Sequence, residues 1–91
     1  PVRALAGSGV AIDGPDAALR REEVARITAE VLEELPEIFR TVLVLREIEG
    51  LSYQEIAETL NCSLDAVKAR LRRARQNFEE KLRHFLGSGD V

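Results

Sequence analysis

Between Lys68 and Arg75 the chain places five cations, Lys68, Arg70, Arg72, Arg73 and Arg75, and no acid. A guanidinium fork donates paired hydrogen bonds to phosphate oxygens or to the O6 and N7 edge of guanine, while a lysine ammonium serves as a point charge for phosphate. The chemistry offered by this spacing is recognition of a polyanion, not the making of bonds. The many glutamates are spread over helical faces, and no nucleophile, base and orienting group form a recognisable set, so the chain does not read as an enzyme. Cys62 is the only cysteine, which excludes an internal disulfide and a multi-cysteine metal site and implies no oxidising compartment. It reads as a structural turn residue, and His84 as an isolated cation suited to a helix end. Nothing calls for a metal or another cofactor.

The formal net charge of -3 argues against nucleic acid only until its distribution is considered. From Asp13 to Glu37 there are eight acids against three arginines. Screening confines each charge to about 8–10 Å, so a local basic stripe stays positive on an acidic domain.

The elements that must position this stripe are helical. The chain is 45% hydrophobic and 32% charged, with no Trp or Met and with one tyrosine and three phenylalanines, the balance of a compact helical protein. No apolar run reaches the roughly 18–20 residues of a membrane span, and no signal-like start is present, so neither membrane insertion nor export is expected and a cytoplasmic location fits. Residues 1–14 are glycine-rich and aperiodic, an expected interdomain linker. The start at Pro1 suggests a fragment of a longer protein.

A first helix is expected to open at Pro15, favoured by Asp16, Glu22 and Glu23, with Val24, Ile27, Val31 and Leu35 facing inward. Pro36 is expected as the first residue of a second helix carrying Phe39, Val42, Leu43, Leu45 and Ile48, stopped at Gly50. Ser52 and Glu55 have the spacing of a capping box, starting a short third helix with Tyr53, Ile56, Ala57 and Leu60. Asn61 to Ser63 then forms a tight turn, Asn61 taking the left-handed conformation and Ser63 capping the next helix. The fourth helix carries Val67, Leu71, Ala74, Phe78, Leu82 and Phe85 at steps of three and four until Gly87. The fold class is thus all-α, a compact four-helix domain over 15–86 with a helix-turn-helix, a long C-terminal recognition helix and a tail at 87–91.

With Val67, Leu71 and Ala74 facing the core, roughly 100° per residue turns Asp65, Ala69, Arg72, Arg73 and Gln76 outward, flanked by Lys68 and Arg75 on one side and Arg70 on the other. That face fits a DNA major groove, with Ser63 and the amides after it as a phosphate anchor. The same cations could instead be solvated or paired with Glu55, Glu58 and Glu79. Arg75 divides between a carboxylate of helix three and DNA. Tyr53 and Phe39 read as core residues whose rims could touch a protein partner.

The stretch LPEIFRTVLVLREIEGLSYQEIAETLNCSLDAVKARLRRARQNFEEKL, above all its pieces REIEGLSYQEIAETL and VKARLRRAR, resembles region 4 of bacterial sigma factors of the extracytoplasmic-function class. The resemblance covers about Leu35 to Leu82. It implies binding of double-stranded promoter DNA at the -35 element, attachment to core RNA polymerase through its beta-flap, and control by an anti-sigma factor. It also implies that Lys68, Ala69, Arg72 and Arg73 approach the bases, with Ser63, Ala66 and Arg70 near the DNA backbone. Asp65 and Ala66 stand where the family often has Gly-Thr, and Ala69 where it often has Ser, so two hydroxyls are replaced and an acid is added on the DNA-facing side. A different class of function, a sigma-like module that binds an anti-sigma factor without reading DNA, predicts a degraded basic face instead.

Overall fold

The computed structural model describes residues 16–87. The expected linker at 1–14, the start at Pro15 and the tail beyond Gly87 lie outside the described residues. Four helices follow one another: α1 (Ala17–Glu34), α2 (Glu37–Leu43) continued by a π-helical turn (Val44–Ile48), α3 (Tyr53–Leu60) and α4 (Leu64–Gly87).

α1 begins at Asp16, whose carbonyl accepts from Arg20 N at 3.0 Å but whose side chain makes no cap. Glu22 and Glu23 lie beyond the first turn, which holds no acid, so they do not serve the helix start as expected. Glu23 and Glu30 instead bracket Arg26 in ion pairs. The inward stripe runs through Thr28, Val31 and Leu32 to Leu35, with Val24 and Ile27 only half-buried. Thr28 is tolerated there because its hydroxyl donates to the Val24 carbonyl at 2.7 Å.

Pro36 is not the first residue of α2, as the sequence suggests, but its N-cap: its ψ of 143 is extended, and its carbonyl accepts from Phe39 N and Arg40 N, both at 3.0 Å. The sequence gives no notice of the π-helical turn. There the Glu49 amide donates to the Val44 carbonyl at 2.9 Å, five residues back, and the Leu51 amide to the Leu45 carbonyl at 3.0 Å. Such a turn holds one residue more than an α-turn and redirects the side chains that follow. Gly50, at φ +75, makes the reversal that an L side chain would resist.

α3 has the full capping box: the Ser52 hydroxyl accepts from Glu55 N at 3.1 Å and the Glu55 carboxylate accepts from Ser52 N at 2.8 Å. Asn61 closes α3 in the left-handed region, at φ 53 and ψ 52. α4 then packs against each of the other helices. Its Val67, Leu71 and Ala74 join Leu32, Leu35, Val42, Leu43, Ile56 and Ala57 in one core, against which Phe39, Tyr53, Cys62 and Phe78 pack half-buried. No helix is long and apolar enough to cross a membrane among the described residues.

The Leu71 side chain, 1% exposed, meets this core at its centre. Leu71→Ala should lower stability by about 2–5 kcal/mol, read as a lower denaturation midpoint. Ser52→Ala should cost about 1 kcal/mol at neutral pH. The Ser52 backbone N–H, followed by its hydroxyl, holds the Glu55 carboxyl below the usual glutamate range. Its contribution is therefore complete above the unfolded-chain value and disappears as pH falls through the lower folded one. A Glu55→Ala variant should match the parent in acid and fall below it near neutrality, a comparison that urea melts at several pH values would make.

Candidate nucleic-acid interface

α3, the turn at Asn61–Ser63 and the first half of α4 form a helix-turn-helix. The turn is short because both of its ends are satisfied locally: Asn61 N donates to the Glu58 carbonyl at 3.3 Å and Cys62 N to the Ala57 carbonyl at 3.0 Å. The Ser63 hydroxyl oxygen accepts from Ala66 N at 3.0 Å. One proton on that hydroxyl and the amides of Leu64 and Asp65 remain as donors at the positive end of the α4 dipole.

Burial of Val67, Leu71 and Ala74 orients the rest of α4. Asp65, Lys68, Arg72, Arg73 and Gln76 are exposed on the face expected from their spacing, and Ala66, Ala69 and Arg70 are half-buried at its edges and centre. Ser63 is exposed at the head of the same face. Among the described residues, Lys68, Arg70, Arg72 and Arg73 form no ion pair. Glu55, one of the carboxylates that could have neutralised them, is committed to the Ser52 cap.

Arg75 is placed differently. Its guanidinium donates to the Glu47 carboxylate at 2.7 Å, a residue of the π-helical turn and not of helix three. That hydrogen bond raises the Arg75 pKa, with a lesser contribution from Tyr53, against a smaller opposing effect of burial. Tyr53 lies under a second arginine, the Arg46 guanidinium carbon standing 4.9 Å from its ring centroid. Arg46 also donates to the Leu51 carbonyl at 2.8 Å. Sequence reasoning missed Arg46 and Glu47 because only the widened turn aims them at α3 and α4.

On the other flank of α4, Arg70 borders a shallow groove of about 230 Å³ with Glu37, Ile38, Thr41 and Leu60. Ile38 is 48% exposed beside it, so the groove has an apolar wall open to solvent. Among the described residues, no group of three or more His, Cys, Asp or Glu is placed to hold a metal ion.

This arrangement defines a helix-turn-helix domain of the DNA-binding type. Residues 22–78 match the family described as Sigma-70, region 4, and the chain belongs to that family. It is 39% identical over 75 residues to the RNA polymerase sigma-H factor of Pseudomonas aeruginosa, covering 82% of this chain and 39% of that protein. It is likewise 39% identical over 75 residues to the ECF RNA polymerase sigma-E factor of Haemophilus influenzae, covering 82% of this chain and 40% of the relative. For the sigma-E factor of Escherichia coli the identity is 38% over 75 residues, covering 82% and 39%. The chain thus spans about two fifths of the length of these curated relatives. No solved structure matches.

The Arg75–Glu47 pair is half open to water, with side chains 49% and 26% exposed. Exposed pairs contribute about 0–1 kcal/mol. Arg75→Gln and Glu47→Gln should each keep the parent's helicity and lie within about 1 kcal/mol of its stability, measured by circular dichroism in urea.

Proposed function

We propose that this chain is the promoter-reading domain of an extracytoplasmic-function sigma factor, binding the -35 element as double-stranded DNA and directing core RNA polymerase to promoters. The observation that carries this reading is the face of α4, where Lys68, Arg72 and Arg73 stand exposed and without carboxylate partners among the described residues. Cations clustered without acids on the outward face of a helix that begins at a capped turn are suited to neutralising phosphate and recognising base edges.

In this reading Arg72 and Arg73 reach guanine edges, with Lys68 beside them. Ala69, at the centre of the face, lets the helix approach the groove floor. Ser63 donates to a backbone phosphate with the amide dipoles behind it, Ala66 packs against the sugar-phosphate wall, and Arg70 reaches the opposite strand. Asp65 lies close to the phosphates and weakens that anchor, so it acts against indiscriminate binding. Residues 15–86 form the DNA-binding unit, tethered through 1–14 to the remainder of the factor, with 87–91 as a tail.

The protein partners are core RNA polymerase, through its beta-flap, and an anti-sigma factor. The apolar wall of Ile38 and Leu60 supports a protein-binding role for the α2 side of the domain. The work of the domain is promoter selection and not catalysis, carried out in the cytoplasm where the polymerase acts.

Fluorescence anisotropy against a randomised duplex pool and its selected winners, over a salt series, tests this reading. A short G-containing motif should emerge, with affinity falling steeply as salt rises. Absence of selection at the lowest salt would transfer the domain to the sigma-like class that binds only an anti-sigma protein. Arg73→Ala should lose about 1–3 kcal/mol on the selected site and flatten the base preference there. An equal loss on every sequence would make Arg73 a phosphate contact.

A further inference from the structure

The basic stretch of α4 contains five cations, but the structure spends one of them inside the protein. Arg75 lies seven residues after Lys68, two turns along the same flank and roughly 10 Å further down the axis. By position it continues the line of positive charge that Lys68 begins. Its guanidinium instead turns toward the α2–α3 side and meets Glu47 at 2.7 Å.

Three features make this placement firm. Glu47 comes from the π-helical turn, whose hydrogen bonds reach five and six residues back and so fix where its side chain starts. Tyr53, the first residue of α3, is covered by Arg46 from the same turn at 4.9 Å. Arg46 is tied in turn to the Leu51 carbonyl at 2.8 Å. The result is a pair of contacts, Arg46 over Tyr53 and Arg75 on Glu47, that tie the π-helical turn to the start of α3 and to the middle of α4.

We propose that Glu47 limits the DNA affinity of this domain by holding Arg75 off the duplex as an internal competitor for its charge. This inference rests on the DNA-binding reading above. A paired guanidinium brings no net charge to the phosphates, and turning it toward DNA would leave the half-buried Glu47 carboxylate, 26% exposed, beside a polyanion. Binding therefore draws on Lys68, Arg70, Arg72 and Arg73, while Arg75 contributes no released counterion. Glu47 is a positioning residue in this account: it touches no DNA and acts through the arginine it holds.

The test measures salt dependence, which a purely structural role would not move. The parent chain, Glu47→Gln, Arg75→Gln and the double variant are titrated into a fluorescent random-sequence duplex across a salt series, each after its helicity is checked by circular dichroism. Each phosphate newly neutralised adds about 0.9 to the slope of log affinity against log salt. Glu47→Gln should bind several-fold more tightly at low salt with a slope steeper by about that amount. Arg75→Gln should keep the parental slope, and the double variant should return to it. An unchanged slope in Glu47→Gln, or a shallower one in Arg75→Gln, overturns the proposal while leaving DNA binding intact. Absence of salt-dependent binding by both the parent and Glu47→Gln would overturn the DNA-binding reading and this proposal together.

Discussion

The arrangement depends on the burial of one stripe of α4, since this helix belongs to the core and also carries the exposed cations. Val67 and Ala74 are fully buried and Leu71 nearly so, and every other helix packs against α4. Burying a Val or Leu side chain stabilises by about 1.5–3 kcal/mol. Against this stands the repulsion among cations three and four residues apart, such as Lys68 with Arg72 and Arg70 with Arg73, each pair worth a few tenths of a kcal/mol. The apolar stripe wins by a wide margin. The basic face is therefore held rigidly in spite of its charge, and its direction follows from the core behind it.

Local hydrogen bonds set where that helix begins. The capping box at Ser52 and Glu55, the left-handed Asn61 and the Ser63 cap all lie within twelve residues, and each satisfies backbone groups that would otherwise need water. These features were legible in the sequence because they depend on residue type at fixed spacing: a hydroxyl three residues before a carboxylate, an amide side chain where φ is positive, a serine before a helix. The periodicity of α4 was legible for the same reason, as one face of a regular helix needs no information from elsewhere in the chain.

The parts that were not legible depend on distant contacts. Pro36 is compatible with either the first helical position or the cap before it, and its extended ψ of 143 places it at the cap. The π-helical turn has no residue signature in VLREI; it arises where Leu45 and Ile48 must both reach the core before the chain reverses at Gly50. Because that turn was hidden, so was the partner of Arg75. The sequence left Arg75 divided between a helix-three carboxylate and DNA, whereas its partner Glu47 lies 28 positions back along the chain.

The acidic balance of the chain gains a physical meaning from these placements. Arg26 is bracketed by Glu23 and Glu30 on α1, Lys81 pairs with Glu34, and Arg75 pairs with Glu47. Acids thus neutralise cations around the domain, while among the described residues those of the outward face of α4 are left without carboxylate partners. A domain that is negative overall can in this way concentrate positive potential on one helix face, because screening ends the influence of the α1 carboxylates within about 8–10 Å. The outward face of α4 is where exposed cations cluster with no carboxylate partner, so a polyanion's approach is favoured along it. The net charge of -3 is then compatible with nucleic-acid binding and helps to define its direction.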